Sequence, residues 1–212
     1  MFLGIRTFLQ TKPMQRILAL FLVILPSIAF AQIHIGLKAG LNFANVTSTA
    51  GFTNSSRTGY MIGGYISPKA KKLLGFRSEL ILSRQGYDYK TNTNTGSVNL
   101  DYLLLPQLIT LNITKKFQFH AGGQMAFLLN AKVDSTGGGN TGSLFNYFNR
   151  FDYGLAGGVE VSPILGLFIG GRINISLNKA NKDVPTGGGW PNFIPRLDAK
   201  NNVVQLYAGW RF

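Results

Sequence analysis

The chain has 212 residues, no cysteine and a formal net charge of +13 at pH 7. The lack of cysteine excludes disulfides and thiolate chemistry, and the length predicts a single domain. Charged residues make up 14% of the chain, compared with about a quarter in ordinary soluble domains, so the composition disfavours a water-exposed domain.

The positive charge is scattered over predicted links and turns rather than gathered on one surface. Part of it also lies in the first 16 positions, ahead of the predicted mature domain. We interpret the rest as attraction to the head groups of anionic lipid and glycolipid, and we expect no nucleic-acid partner.

Residues 1–31 have the layout of a secretory signal peptide. Three basic residues come first, Arg6, Lys12 and Arg16. An apolar run over 17–25 and a small-residue pattern at 29–31 follow them. An uncleaved membrane helix is the alternative, but about fifteen apolar residues broken by Pro26 are fewer than the roughly 20 that a spanning helix needs. We therefore expect cleavage after Ala31 and a mature domain of residues 32–212.

Eight segments of the mature sequence alternate apolar and polar side chains with a period of two, which predicts β-strands. In chain order they cover 34–45, 59–67, 74–85, 98–111, 117–130, 151–161, 167–178 and 203–212. In the fourth strand we expect four apolar side chains to point outward, and they are Leu100, Tyr102, Leu104 and Leu108. Asn99, Asp101 and Gln107 then point inward, and Pro106 predicts a bulge or local irregularity.

The predicted connections alternate strictly between short and long. The short ones cover 68–73, 112–116 and 162–166, and the long ones cover 46–58, 86–97, 131–150 and 179–202. Short turns at one end and long loops at the other are typical of transmembrane barrels, whose tilted strands of about ten residues cross about 30 Å of hydrocarbon. Because lipid offers no partner to a free edge, the sheet must close. The sequence predicts an all-β fold, an eight-stranded antiparallel up-and-down transmembrane β-barrel.

The final strand ends on an aromatic residue, Phe212, as does the closing-strand signal of bacterial outer-membrane barrels, which it resembles. Further stretches look like the porin-family or PorT-like outer-membrane β-barrel domain, and they are GLKAGLNFAN (36–45), RSELILSRQG (77–86), DYLLLPQ (101–107), FHAGGQ (119–124), YGLAGGVE (153–160) and LYAGWRF (206–212). This resemblance implies an integral outer-membrane protein with both termini periplasmic. It also implies that Trp210 and Phe212 form the terminal insertion signal for the barrel-assembly machinery.

We assign four basic and four acidic side chains to the barrel interior, because a charge facing mid-bilayer lipid costs about 2 to 4 kcal/mol. Together with three neutral polar residues they form the predicted lumen network: Lys38, Arg77, Glu79, Asp101, Gln107, His120, Gln124, Asp152, Glu160, Arg172 and Arg211. The interior of an eight-stranded barrel is too narrow for a water column, so this network predicts a hydrogen-bonded plug. A selective filter whose ion pairs open is the alternative.

One arrangement of interior residues could imitate a hydrolase triad: His120 with Ser176 and either Asp101 or Asp152. A triad is defined by geometry, and a single interior histidine beside acids is more often a satisfied hydrogen-bonding group. We therefore assign no catalytic residue. With two histidines and no cysteine in the chain, we also expect no metal and no cofactor.

Aromatic side chains in or beside the two longest links lie near basic residues, a combination enriched at recognition surfaces. The candidate surface-recognition residues are Phe145, Tyr147, Phe148, Trp190 and Phe193. Anchoring of the barrel rim at the level of the head groups is the alternative.

The leading functional hypothesis from the sequence is a non-enzymatic membrane scaffold or surface-binding protein with a plugged polar lumen. A narrow porin-like diffusion channel for small solutes is the second hypothesis. A lipid-modifying outer-membrane enzyme is the third.

Overall fold

The chain folds into a closed β-barrel. The computed structural model describes residues 33–46, 53–68, 73–90, 95–135, 148–178 and 201–212, and the predicted signal peptide lies outside them. The described residues form eight strands: β1 (Ile33–Val46), β2 (Thr53–Pro68), β3 (Leu74–Lys90), β4 (Thr95–Asn112), β5 (Phe117–Ser135), β6 (Phe151–Val161), β7 (Leu167–Ser176) and β8 (Asn201–Arg211). Each strand pairs with the next, and β8 pairs antiparallel with β1, which closes the sheet. The predicted eight-stranded antiparallel barrel is confirmed.

The outer face of the barrel carries an apolar band of exposed side chains. Strand alternation produces it, since Leu37, Ile62 and Leu80 each point outward between inward neighbours. Further members of the band are Ile35, Leu41, Ile66, Leu82, Ile109, Leu155, Ile169, Ile173 and Leu206. So large an exposed apolar surface is unfavourable in water and suits a lipid environment. Within the described residues, no helix is long and apolar enough to cross a membrane.

Aromatic side chains border the apolar band at both ends of the barrel. One group lies near the links 69–72, 113–116 and 162–166, which we call the short-turn end, and it consists of Phe76, Phe117, Phe119, Trp210 and Phe212. The other lies toward the opposite end, the long-link end, and consists of Tyr60, Phe127, Phe151 and Tyr153. Membrane barrels usually carry two such girdles of aromatic residues, one at each membrane–water interface.

Strands β2 to β5 continue beyond the apolar band at the long-link end. They contain 16, 17, 18 and 19 residues, whereas β6, β7 and β8 contain 11, 10 and 11. Most of the predicted long link 86–97 is therefore strand, because β3 runs to Lys90 and β4 begins at Thr95. The polar residues in this stretch do not prevent strand formation, since an antiparallel pair of strands tolerates one polar face in water. Tyr87 and Val98 form the apolar face on the other side.

The structure reverses the predicted faces of β4. Its four supposedly outward residues are at most 4% exposed and line the interior, while Ile109 points outward and is 61% exposed. Alternation could not decide the faces, because both faces of β4 are apolar over 103–109 except at Gln107. A register shift against β5 lies at Asp101 and Tyr102 rather than at Pro106, and beside it Asn130 points outward and donates to Asp101.

An apolar cluster fills the interior toward the long-link end. Its members include Ile81, Tyr87, Val98, Leu100, Tyr102, Leu128 and Val133. Polar side chains occupy the interior toward the short-turn end, and they form the candidate site.

Candidate functional site

Six charged side chains meet in the lumen, and we call them the ionic network. They project inward from five strands, and they are Lys38, Arg77, Glu79, Glu160, Arg172 and Arg211. Five of the six are at most 2% exposed, and Arg211 is partly exposed at the short-turn end. Each of these residues lies at a strand position whose side chain points into the barrel. A position one residue along the strand would place the charge in the apolar band.

Glu79 is the first centre of the network. Its Oε2 accepts from Lys38 Nζ at 2.7 Å and from Arg172 Nη1 at 2.6 Å. Arg172 also donates through Nε and Nη2 to Gln205 Oε1, and Gln205 in turn donates to Asn42 Oδ1 at 2.9 Å. The chain of contacts thereby links β1, β3, β7 and β8 across the lumen.

Glu160 is the second centre. It accepts two hydrogen bonds from Arg77, the shorter being 2.7 Å, and one from Arg211 Nη2 at 2.8 Å. Arg211 Nε donates to the hydroxyl of Tyr65, and the Arg77 guanidinium lies 4.1 Å from the centroid of the Tyr65 ring. Arg77 Nη1 is also 3.7 Å from Glu79, so the two centres form one connected network.

The ionic network has four cations and two carboxylates among the described residues, which is a surplus of two positive charges. The predicted equality of four basic and four acidic lumen side chains is wrong. Asp101 lies on the outer face, and Asp152 accepts a hydrogen bond from Ser176, at 2.7 Å, instead of pairing with a described cation.

Asp101 takes part in an ion pair on the outside of the barrel. It accepts from Arg84 Nε at 2.7 Å and from Asn130 Nδ2 at 3.2 Å, and the side chains of Arg84 and Asp101 are 42% and 24% exposed. The Arg84 guanidinium lies over the ring of Tyr60, which points outward. This cluster marks the edge of the apolar band at the long-link end.

Gln107 is also outside the lumen, contrary to its predicted place in the network. Its Nε2 donates to Ser78 Oγ at 2.9 Å, and its neighbours along β4, Pro106 and Leu108, are buried inside. The error has the same cause as the reversed face of β4.

His120 and Ser176 have different partners, so the considered triad does not form. Nε2 of His120 lies 3.4 Å from the hydroxyl of Tyr207, whereas Ser176 donates to Asp152. Gln124 does face the lumen, where it lines a cavity of about 20 Å³ with Asp152, Ser176 and Asn174. A cavity of that size holds about one water molecule. Among the residues that the structure describes, no group of His, Asp and Glu side chains is arranged to hold a metal ion.

The recognition hypothesis required Phe148 to lie at the surface, but its side chain is buried. It is 1% exposed and belongs to the apolar cluster, because burying its ring removes a large apolar area from water. The other candidate recognition residues, Phe145, Tyr147, Trp190 and Phe193, lie outside the described residues.

The terminal aromatic residues lie on the outer face. Phe212 is 71% exposed, and its amide donates to Ile35 O at 2.8 Å, adding a hydrogen bond between the chain end and β1. Trp210 covers Gly166, which has a φ of 86°, and a Cβ there would lie 2.6 Å from the indole ring. The turn before β7 therefore needs glycine both for its backbone conformation and for space.

Sequence reasoning missed several neutral residues that complete the network. Asn42, Gln205 and Tyr65 bind its charged members or each other, and all three are nearly inaccessible. Alternation in β1, β8 and β2 indicates that these three side chains point into the barrel, but it does not identify their hydrogen-bond partners.

The comparisons with known proteins agree with the barrel. A family model described as "Outer membrane protein beta-barrel domain" matches residues 25–181. No curated protein matches the sequence. The structure is similar to Ail, the attachment invasion locus protein of Yersinia pestis, which was solved in complex with the heparin analogue sucrose octasulfate. The two chains are 15% identical, the match covers 85% of this chain and 99% of Ail, and the TM-score is 0.51.

Two further solved structures are similar to this chain. OprG from Pseudomonas aeruginosa is 13% identical, with 86% of this chain and 96% of OprG covered and a TM-score of 0.46. Neisserial surface protein A is 13% identical, with 84% of this chain and 95% of that protein covered and a TM-score of 0.45. Since the family match covers most of the sequence and the fold agrees with it, the chain belongs to the outer membrane protein beta-barrel domain family and is an integral outer-membrane protein.

Proposed function

We propose that this protein is a non-enzymatic membrane scaffold or surface-binding protein whose lumen is closed. The ionic network is the observation that supports the proposal. Its two carboxylate centres join side chains of β1, β3, β6, β7 and β8 across the barrel axis.

Opening a path through the network would separate Glu79 or Glu160 from its cations. Breaking a buried ion pair leaves an uncompensated charge in a medium of low polarity, at a cost of about 3 to 5 kcal/mol. The apolar cluster forms a second layer, since Ile81, Val98 and Leu104 are at most 1% exposed. Two packed layers favour a plug over the narrow diffusion channel.

The extended parts of β2 to β5 are the surface that we propose for binding. The apolar cluster fixes them from inside, and their outward side chains are polar, including the Arg57–Asp88 ion pair of 2.8 Å and the exposed Lys132. With both termini periplasmic, this end would face the cell exterior. We propose anionic glycolipid as its partner. Ail, which shares the fold, was solved with an anionic heparin analogue.

Three parts of the proposal rest on sequence features. The layout of residues 1–31 supports a cleaved signal peptide and a mature protein beginning at Gln32. The stretches 77–86 and 206–212 support a place in the PorT-like branch of barrels. Trp210 and Phe212 support delivery to the membrane by the barrel-assembly machinery.

Swelling of liposomes that contain the purified barrel tests the closed lumen against the diffusion channel. We expect the swelling rate in small sugars to equal that of protein-free liposomes. Rapid swelling that depends on sugar size would overturn the proposal. Mass analysis of lipid A from a deletion strain tests the enzyme alternative, and we expect it to be unchanged.

A further inference from the structure

A second cavity lies inside the short-turn end of the barrel. Its volume is about 70 Å³, several times that of the cavity beside Gln124. Its lining is mostly polar, with Pro68 and Phe76 as the apolar members, and the polar residues include Arg77, Arg211, Thr110, Ser67, Gln118 and His34. Since about 10 to 15 Å³ of such volume suffices for one water molecule, this cavity has room for a small polyatomic ion.

The charge around this cavity is positive and unbalanced. Arg77 and Arg211 both hydrogen-bond to Glu160, and Arg77 also lies 3.7 Å from Glu79. The whole ionic network nevertheless has four cations against two carboxylates. A surplus of positive charge in a buried site is costly unless a counter-charge is close. An anion in the cavity would supply that counter-charge.

The hydrogen-bonding groups at the cavity also suit an anion. Arg77 is 1% exposed, and its Nε has no hydrogen-bond partner among the described residues. Thr110 adds a hydroxyl and is 4% exposed, while Arg211 lies at the open side with its side chain 29% exposed. Guanidinium groups beside hydroxyl donors are the usual ligands of phosphate-type oxyanions.

We propose that this cavity binds a small oxyanion of phosphate type. The anion fits between the Arg77 and Arg211 guanidinium groups and accepts a hydrogen bond from Thr110. Two sources share this chemistry, free inorganic phosphate and the phosphate of a lipid head group at the membrane interface. The site is separate from the proposed surface-binding region at the long-link end, so the two proposals can fail independently.

Calorimetric titration of inorganic phosphate into the wild-type barrel in dodecyl maltoside tests the proposal. We expect saturable binding with one site per chain, and its absence would overturn the proposal without any variant. Repeating the titration in lipid nanodiscs separates the sources. Both lipids carry a head-group phosphate, but only phosphatidylglycerol has a net negative charge. Loss of phosphate binding in phosphatidylglycerol discs, with retention in phosphatidylcholine discs, would assign the site to the phosphate of an anionic lipid, whereas equal binding in both would assign it to the free ion.

Two variants locate the site. Arg211→Gln leaves Glu160 paired with Arg77, and it should weaken phosphate binding roughly ten- to hundredfold, since hydrogen bonds to charged groups are the strong ones. Thr110→Val keeps the side-chain shape and should weaken binding roughly two- to tenfold. Arg84→Gln is the matched control, because it removes the same charge from the outer face. Equal weakening by Arg84→Gln, or unchanged binding by Thr110→Val and Arg211→Gln, would overturn the proposal.

Discussion

The proposed closure of the lumen depends on single charged residues. Glu79 binds Lys38 of β1 and Arg172 of β7, although 41 and 93 positions separate them along the chain. The sequence predicts that such charges point inward, because lipid excludes them. Their pairing depends on the tilt and register of distant strands, which local alternation does not contain. The prediction for Asp101 is wrong for another reason, because β4 turns its other face inward.

Changing Glu79 to Ala should destabilise the barrel by about 3 to 5 kcal/mol, because two directly bonded cations lose their carboxylate in a buried site. The temperature at which the folded band converts to the unfolded band on a gel measures the effect, and it should fall clearly. Asp101→Ala is the control. Its ion pair is exposed on the outer face and should contribute about 1 kcal/mol or less. Equal losses in the two variants would contradict the buried network.

Changing Gln107 to Leu should stabilise the barrel by about 1 kcal/mol, because the amide lies on the lipid-facing side with Ser78 as its hydrogen-bond partner. Gln205→Leu is the matched control inside the lumen. It removes hydrogen bonds to Arg172 and Asn42, and its unfolding temperature should fall. Destabilisation by Gln107→Leu of the same size as by Gln205→Leu would place Gln107 in the lumen.

Strands differ in how far their sequences determine their faces. In β1 and β7 every second residue is apolar and the intervening residues are mostly polar or glycine, so the outward face follows from the sequence. β4 carries Leu, Ile or Pro on both faces over 103–109. Its orientation is set by packing against Ile81 and the rest of the apolar cluster, and these are contacts between strands that no single segment encodes.

The end of β8 leads to a prediction about assembly. Deleting Phe212 removes one hydrogen bond to β1 and a side chain that is mostly exposed, so the assembled barrel should unfold at nearly the same temperature. If the terminal aromatic residue is an insertion signal, the yield in the outer membrane should nevertheless fall several-fold. Deletion of Thr136, in the link after β5, is the control, and equal membrane yields for both deletions would argue against the signal.

The whole molecule combines an apolar exterior with an interior that is packed with side chains in two layers. The ionic network occupies the lumen toward the short-turn end, and the apolar cluster occupies it toward the long-link end. The cavity beside Gln124 and the cavity beside Arg77 have volumes of about 20 and 70 Å³, so each has room for only a small number of water molecules. Side chains fill most of the interior, as expected for an eight-stranded barrel.

Ionic current across a planar bilayer that holds the purified wild-type barrel tests the closed lumen most directly. Heat conversion on a gel should first establish that the sample is folded. Because both layers would have to open together, we expect the current to stay at the background of a protein-free bilayer over the full voltage range. Steady, reproducible single-channel steps from the wild-type protein would contradict a closed lumen and would favour the diffusion channel.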